Sequence, residues 1–282
     1  MSSDQFFKGW AKPGPIPPES DVHGEPGESL DAISGHYKLF QYEKGHRFST
    51  DDVLVAWYGT AYSPSAGTVL DLGSGIGSVG MIAAWRLRGA RFVTVEAQEM
   101  SVVLAKKSAR LNGIEDRYEI RQGDFRDAGV ISENEKYDLI LGSPPYFPLD
   151  TGVLAEHPQK VACRFEVRGG IEGYCEVASR HLGLGGVFAT IFPVAQRARV
   201  QKAAKDSGLM MIRCRDIIFR EGEPPLLAVF LMCKMEHLPE KIRALAERTG
   251  ALFQEPPLCI RTEKGEVHPE YSALKLSVGF PP

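Results

Sequence analysis

The stretch Thr68-Val69-Leu70-Asp71-Leu72-Gly73-Ser74-Gly75-Ile76-Gly77 decides the fold. A short apolar run ending in an acid reads as a buried strand. Glycines at alternate positions read as a tight turn, and residues 78–87, with Ala83, Ala84 and Trp85, read as the helix that follows. Outward from this unit the alternation continues. Residues 91–96 form a second strand, 99–111 a helix closed by Asn112-Gly113, 118–121 a third strand and 137–141 a fourth. A helix over 171–182, a fifth strand over 186–192 and a helix over 195–207 follow. Residues 210–219 and 226–232 read as two strands joined around Pro224-Pro225 without a helix. The regular alternation predicts an α/β fold: a mainly parallel seven-stranded sheet, helices on both faces, and an antiparallel edge from the last two strands.

The 282 residues fit one large domain with extensions, and 43% hydrophobic residues suffice for a core. Residues 1–35 carry Asp4, Glu19, Asp21, Glu25, Glu28 and Asp31 against two lysines, and five prolines lie between 13 and 26. That composition predicts a disordered or loosely docked tail, with Phe6, Phe7 and Trp10 as an aromatic exception that either docks on the body or stays bare. Residues 37–48 read as a hairpin turning at Lys44-Gly45, and 51–62 as a helix capped by Ser49 or Thr50. The expected organisation is a tail (1–35), a catalytic domain (36–236) and a C-terminal extension on the same domain (237–282). Net charge is −3, which does not advertise nucleic-acid binding. Five scattered cysteines without a CxxC pair read as reduced thiols. With no signal core and no long apolar run, the expectation is a cytoplasmic protein that does not enter a membrane.

The glycine loop alone would suit a dinucleotide, S-adenosylmethionine or close packing. Three details favour S-adenosylmethionine. Asp71 opens the loop, where a carboxylate repels a pyrophosphate but suits an ammonium group. Ser78 stands where a dinucleotide fingerprint has its third glycine, and no Lys-Ser/Thr follows, which excludes a P-loop. Glu96, ending the second strand, can accept from both hydroxyls of a ribose, although a solvated acid at a strand end is the plain alternative. Asp124, in Gly123-Asp124-Phe125, can accept from an adenine amine or cap a helix, and Phe125 can cover the ring.

After the fourth strand comes Ser143-Pro144-Pro145-Tyr146-Phe147. Two prolines end strand pairing and make a rigid turn at the end of the sheet where ligands bind. The Ser143 Oγ and the Pro144 carbonyl can accept from an exocyclic amine and draw its nitrogen toward tetrahedral geometry, while Tyr146 stacks the base. A turn that only terminates a strand is the competing reading. Arg197, Arg199, Lys202, Lys205, Arg213, Arg215 and Arg220 read first as solvated charges and second as an RNA-backbone surface.

On these residues the chain resembles the class I S-adenosylmethionine-dependent amino-methyltransferases, whose fold is Rossmann-like. Within them it resembles the bacterial tRNA-valine adenine N6-methyltransferase family, over roughly residues 37–275. Gln41, Arg47-Phe48-Ser49 and Asp51 through Leu54 resemble that family's segment before the glycine loop. Ala162-Cys163-Arg164-Phe165-Glu166 resembles its sequence after the catalytic turn, and Pro257-Leu258 through Gly265 with Tyr271 its C-terminal segment. The resemblance implies methyl transfer to the N6 amine of adenine in RNA, above all tRNA, by a monomer that uses S-adenosyl-L-methionine and no metal. It implies Ser143, Pro144, Pro145 and Tyr146 as catalytic. Arg47, Phe48, Asp51, Asp71, Gly73, Ser74, Gly75, Gly77, Glu96, Asp124 and Phe125 would bind the cofactor, and Phe147, Arg164 and Glu166 the substrate. Two departures keep alternatives open. Ser143 replaces the family's asparagine and is typical of DNA cytosine-N4 methyltransferases, and Phe165 replaces a histidine. DNA cytosine or adenine, a protein glutamine, or a non-catalytic cofactor- or RNA-binding role are the rivals. A nicotinamide dehydrogenase is a further rival, but it lacks a second domain here.

Overall fold

The computed structural model describes residues 5–147, 159, 165–249 and 251–282, with backbone alone at 246–247. Two short ladders come first: β1 (Phe6–Phe7) with β2 (Trp10–Ala11), and β3 (Glu28–Ser34) with β4 (Tyr37–Tyr42). Helix α1 (Thr50–Tyr62) leads into the alternating unit: β5 (Thr68–Leu72), α2 (Ser78–Arg86), β6 (Arg91–Glu96), α3 (Glu99–Leu111), β7 (Tyr118–Gln122) and β8 (Tyr137–Gly142). Then follow α4 (Ile171–His181), β9 (Leu182–Pro193), α5 (Arg197–Asp206), β10 (Leu209–Ile218), β11 (Leu227–Lys234), α6 (Glu240–Thr249), β12 (Phe253–Cys259) and α7 (Pro269–Ser277).

Strands β5 to β12 form one sheet in the order β12-β10-β11-β9-β8-β5-β6-β7. All neighbours are parallel except β11, which runs antiparallel to both β9 and β10. Period-two alternation sorts the side chains to two faces. Val69, Leu139, Leu141, Ala189 and Ile191 pack with α1 and α2 on one face. Leu70, Leu72, Ile140, Phe188 and Phe192 pack with α4 and α5 on the other. From β5 the chain winds to β6 and β7 on one side and to β8 and β9 on the other. The carboxyl ends around β5 are therefore a topological switch point, where such sheets bind ligands.

The sheet has eight strands rather than seven. The extra one is β12, parallel to β10 at the edge, with Arg213 opposite Phe253 and Ile217 opposite Leu258. It contains Pro256 and Pro257, which argue against a central strand but are tolerated at an edge. The front segment also departs from expectation. The hairpin turns at Gly35-His36, pairing Leu30 with Phe40, rather than at Lys44-Gly45. Residues 28–34 are therefore a strand, not part of a disordered or loose tail. The segment has no core of its own and uses the body's instead. Ser34 Oγ donates to Val278 O at 2.8 Å, the Gly35 N–H bonds Gly279 O, and Lys107 pairs with Glu28 at 2.5 Å.

Gly35 shows how closely the front is fitted. Its φ is +53°, and a Cβ there would lie 2.0 Å from Pro13 O and 2.7 Å from Trp85 Nε1. Gly35→Ala is expected to destabilise the protein by roughly 2 kcal/mol, read as a lower urea midpoint with an unchanged slope. No helix among the described residues is long and apolar enough to cross a membrane.

Candidate active site

One cavity of about 730 Å³ opens at the carboxyl ends of β5, β6, β7 and β8. Each wall is set by local sequence. After β5, Gly73 and Gly75 take φ of +62° and +55°, which only glycine adopts freely. A Cβ on Gly75 would meet nothing within 4 Å, so the backbone there faces open space; a Cβ on Gly73 would lie 2.3 Å from Tyr174 Oη on α4. Glu96, at the end of β6, is buried, and its two oxygens accept from the Gly75 N–H at 2.9 Å and the Gln98 N–H at 2.7 Å. These bonds tie the loop after β5 to the loop after β6. Burial raises the Glu96 pKa, while the two backbone donors and Arg168 oppose the rise.

Asp71 is buried, and burial lifts its carboxyl well above the ordinary range against a bond from the Gly80 backbone. Its Oδ2, like Ser74 Oγ, has no hydrogen-bond partner among the described residues. Past β7, Asp124 accepts from the Arg126 backbone at 3.0 Å and from its guanidinium at 2.9 and 2.5 Å. Those bonds hold its pKa below the ordinary value. No helix starts at Asp124 for it to cap; its carboxylate closes a local turn and pairs with Arg126 instead. Phe125 packs edge-on to Tyr174 with centroids 4.7 Å apart.

The turn Ser143-Pro144-Pro145-Tyr146-Phe147 forms the facing wall. Tyr146 sits with its ring edge-on to Phe192, and Gln196 donates to its carbonyl at 3.0 Å. Its hydroxyl donates to Asp51 Oδ2 at 2.8 Å. Phe147 is half exposed and tilts over Phe165. Asp51 comes from the start of α1, where Ser49 caps the helix and Asp52 closes the capping box by accepting the Ser49 N–H. Arg47 lines the mouth, with its guanidinium on Ser29 at 2.8 Å and Asp31 at 2.9 Å. Gln41 holds this segment, accepting the Phe48 N–H at 2.8 Å and donating to Asp31 at 2.9 Å.

Most of the residues singled out from the sequence therefore meet in one cavity: Arg47, Asp51, Asp71, Gly73, Ser74, Gly75, Glu96, Asp124, Phe125 and 143–147. Three do not line it. Phe48 turns its ring toward Phe280, Gly77 caps α2 behind the loop, and Glu166 pairs with Arg199 at 2.7 Å. Arg164 lies outside the described residues. Sequence reading missed His46, Asp52, Gln98, Arg168 and Tyr174, all lining residues. Only Asp52, inside the Asp51–Leu54 segment, carried a signal there.

The basic run over 197–220 is largely neutralised. Arg197 pairs with Asp216, Arg199 with Glu166 and Glu172, Lys202 with Asp206, Arg213 with Glu255, Arg215 with Glu270 and Arg220 with Glu223. The charges are ion-paired and spread over several elements, Arg199 on the α4 side and Arg213 and Arg215 stacked on Tyr62, Phe253 and Trp57.

Known proteins resemble this chain in the same region. The methyltransferase small domain family matches residues 53–157. The chain is 30% identical over 189 residues to a tRNA1(Val) (adenine(37)-N6)-methyltransferase from Shewanella amazonensis, covering 66% of this chain and 78% of that protein. Among solved structures, a predicted O-methyltransferase from Agrobacterium tumefaciens superposes with a TM-score of 0.59 at 19% identity, covering 82% of this chain and 98% of that one. An O-methyltransferase from Brevibacillus brevis, solved with S-adenosyl-L-homocysteine, gives 0.52 at 12% identity over 73% of this chain and 79% of that one. At those identities the structural likeness speaks for the Rossmann-like methyltransferase fold alone.

Proposed function

This chain belongs to the tRNA1(Val) (adenine(37)-N6)-methyltransferase family, and from that membership and the cavity geometry we infer that it methylates the N6 amine of an adenine in tRNA, using S-adenosylmethionine. The observation that carries the reading is a single cavity whose one wall is Asp71 to Gly75 with Glu96 and whose other is Ser143 to Tyr146. The first wall suits the cofactor. Glu96 offers a paired acceptor for a ribose diol, the open backbone at Gly75 leaves room, and Asp71 Oδ2 and Ser74 Oγ lack protein partners. When bound, S-adenosylmethionine supplies an electrophilic methyl group on a cationic sulfur.

The chain's own residues do the rest by position. Ser143 Oγ and the Pro144 carbonyl accept the two amine hydrogens, which turns the nitrogen lone pair away from the ring and toward the cofactor wall. Tyr146, pinned by Phe192 and Gln196, offers a fixed ring to the base, and stacking of this kind is worth roughly 1–3 kcal/mol. A base held in this way must leave its stack, as one in a tRNA loop can.

The test is incubation with labelled cofactor and total tRNA, followed by nucleoside mass spectrometry. Label is expected in N6-methyladenosine, and Ser143→Ala and Tyr146→Ala should each lower the rate at least about tenfold. Label in both variants equal to that of wild type, or label that appears in no RNA, would overturn the reading. Label in cytosine of DNA or in a protein glutamine would move the activity to those substrates.

A further inference from the structure

The rim of the cavity carries two side chains that methyl transfer itself leaves without a task. The first is Phe147. Tyr146 turns its ring inward, onto Phe192 and Asp51, whereas Phe147 turns its ring outward, half exposed and tilted over Phe165. Successive side chains of extended backbone alternate in this way, and Phe147 pairs with Phe165 in a parallel bridge. The second is Arg168, which is exposed and lines the same cavity. A turn from Glu166 to Gly169 carries it, closed by the Gly169 N–H on Glu166 O at 3.2 Å. That turn is fastened on two sides. The Glu166 N–H donates to Phe147 O at 2.9 Å, and the Glu166 carboxylate pairs with Arg199 at 2.7 Å. Glu166 thus holds the turn that bears Arg168 beside Phe147.

Charge separates Arg168 from the other groups there. Acids outnumber arginines along the cavity, so its field opposes the phosphates of an incoming strand. Of the two arginines, Arg47 is bonded to Ser29 and Asp31. Arg168 makes no hydrogen bond or ion pair among the described residues. Glu96 and Asp124 feel its charge, but Glu96 is bonded to the Gly75 and Gln98 N–H groups and Asp124 to Arg126, so neither fixes the guanidinium.

We propose that Phe147 and Arg168 form a rim subsite for the nucleotide next to the target adenine, with Phe147 stacking the neighbour's base and Arg168 taking the phosphate that joins the two nucleotides. The proposal rests on the adenine-in-tRNA reading above. A base that enters the cavity leaves its stack and strips one face of its neighbour. Phe147 replaces the contact that the neighbour loses. Tyr146 inside and Phe147 outside then hold two successive bases of one strand on two successive residues. The phosphate between those bases falls at the rim, where a guanidinium can bond two of its oxygens at once. Stacking accepts any base, so the subsite adds affinity and register without choosing the neighbour's identity.

The test is binding of a fluorescent tRNA1(Val) transcript, read by anisotropy from about 50 to about 200 mM salt, beside methylation of the same transcript. Arg168→Ala should weaken binding roughly tenfold at about 100 mM salt and reduce the slope of log affinity against log salt by about 0.7, the share of one phosphate. Arg168→Lys should restore the slope but only part of the affinity. Phe147→Ala should weaken binding roughly 5- to 100-fold with the slope unchanged, and Phe147→Leu, which keeps the contact with Phe165 but has no aromatic face, stands in if the alanine variant unsettles the turn. Transcripts abasic on one or the other side of the target adenine complete the comparison. On the one that lacks the stacked base, Phe147→Ala should cost less than about twofold. Wild type that neither binds nor methylates the transcript would overturn the tRNA reading and the subsite with it. Wild type that does both, while Arg168→Ala keeps the full slope or Phe147→Ala costs as much on both abasic transcripts as on the intact one, would overturn the subsite alone.

Discussion

Glu96→Ala is expected to weaken S-adenosylmethionine binding by about 10²- to 10³-fold, read by calorimetry, with the fold retained. The argument starts from what the carboxylate does in the free protein. It accepts from Gly75 at 2.9 Å and Gln98 at 2.7 Å, and so fixes two loops before any ligand arrives. Each oxygen keeps acceptor capacity for a ribose hydroxyl, and hydrogen bonds to a charged group are worth about 1.5–3 kcal/mol each. Two such bonds, discounted for water that refills the space, give about 3–4 kcal/mol, which is the stated loss in affinity. Glu96→Gln should be nearly as damaging, because one of the two backbone donors would then face an amide donor. Affinity within about threefold of wild type in the alanine variant would mean that the ribose is held elsewhere. This measurement involves no RNA, so it tests the cofactor wall independently of the target base.

The strand ends that make the two walls were legible in the sequence, and the contacts that hold the walls in place were not. The glycine loop, Glu96 and the Ser143–Phe147 turn were readable because each belongs to one strand end, and strand ends are local events. The pairing Tyr146–Asp51 joins positions 95 apart, and the Tyr174–Gly73 approach joins two elements with most of the domain between them. No period or spacing encodes such contacts. Composition also misled in two places. Residues 1–35 read as a disordered or loosely docked tail because their composition cannot bury enough apolar surface, yet Gly14 and Gly35 close on Trp85, and Gly24 on Phe40. No strand was expected over Phe253–Cys259, and β12 accommodates Pro256 and Pro257 because one of its sides is an edge. Asp124 shows a third limit. Its position past β7 was predictable, but its ion pair with Arg126 depended on side-chain direction.

Unfolding by urea without cofactor is expected to show a protein that is more stable near pH 5 than near pH 8, by about 2 kcal/mol or more. Asp51 and Asp52 are each lifted by burial from 3.8 to about 6, and Asp71 is lifted further. A folded pKa above the unfolded one means that the native state holds extra protons between the two values. The stability so contributed is complete below 3.8 and is lost as pH rises through about 6. For one such acid the full swing is on the order of 3 kcal/mol. His181, buried and held below its ordinary value by that burial, works in the opposite direction as pH falls through its range. Asp124, Glu135 and Glu172, held low by arginines, lose their contribution only in stronger acid. Asp71→Asn should therefore stabilise the free protein at pH 8 while weakening cofactor binding, and it should reduce the difference between the two pH values. Stability that climbs steadily from pH 5 to pH 8 would show that these acids are not desolvated. The same reasoning fixes the sign of a ligand effect. A cationic sulfur and an ammonium group brought beside Asp71 and Glu96 offset the charge that burial disfavours, so stabilisation by S-adenosylmethionine should be larger at pH 8 than at pH 5. A neutral analogue without the sulfonium and ammonium charges should show no such difference.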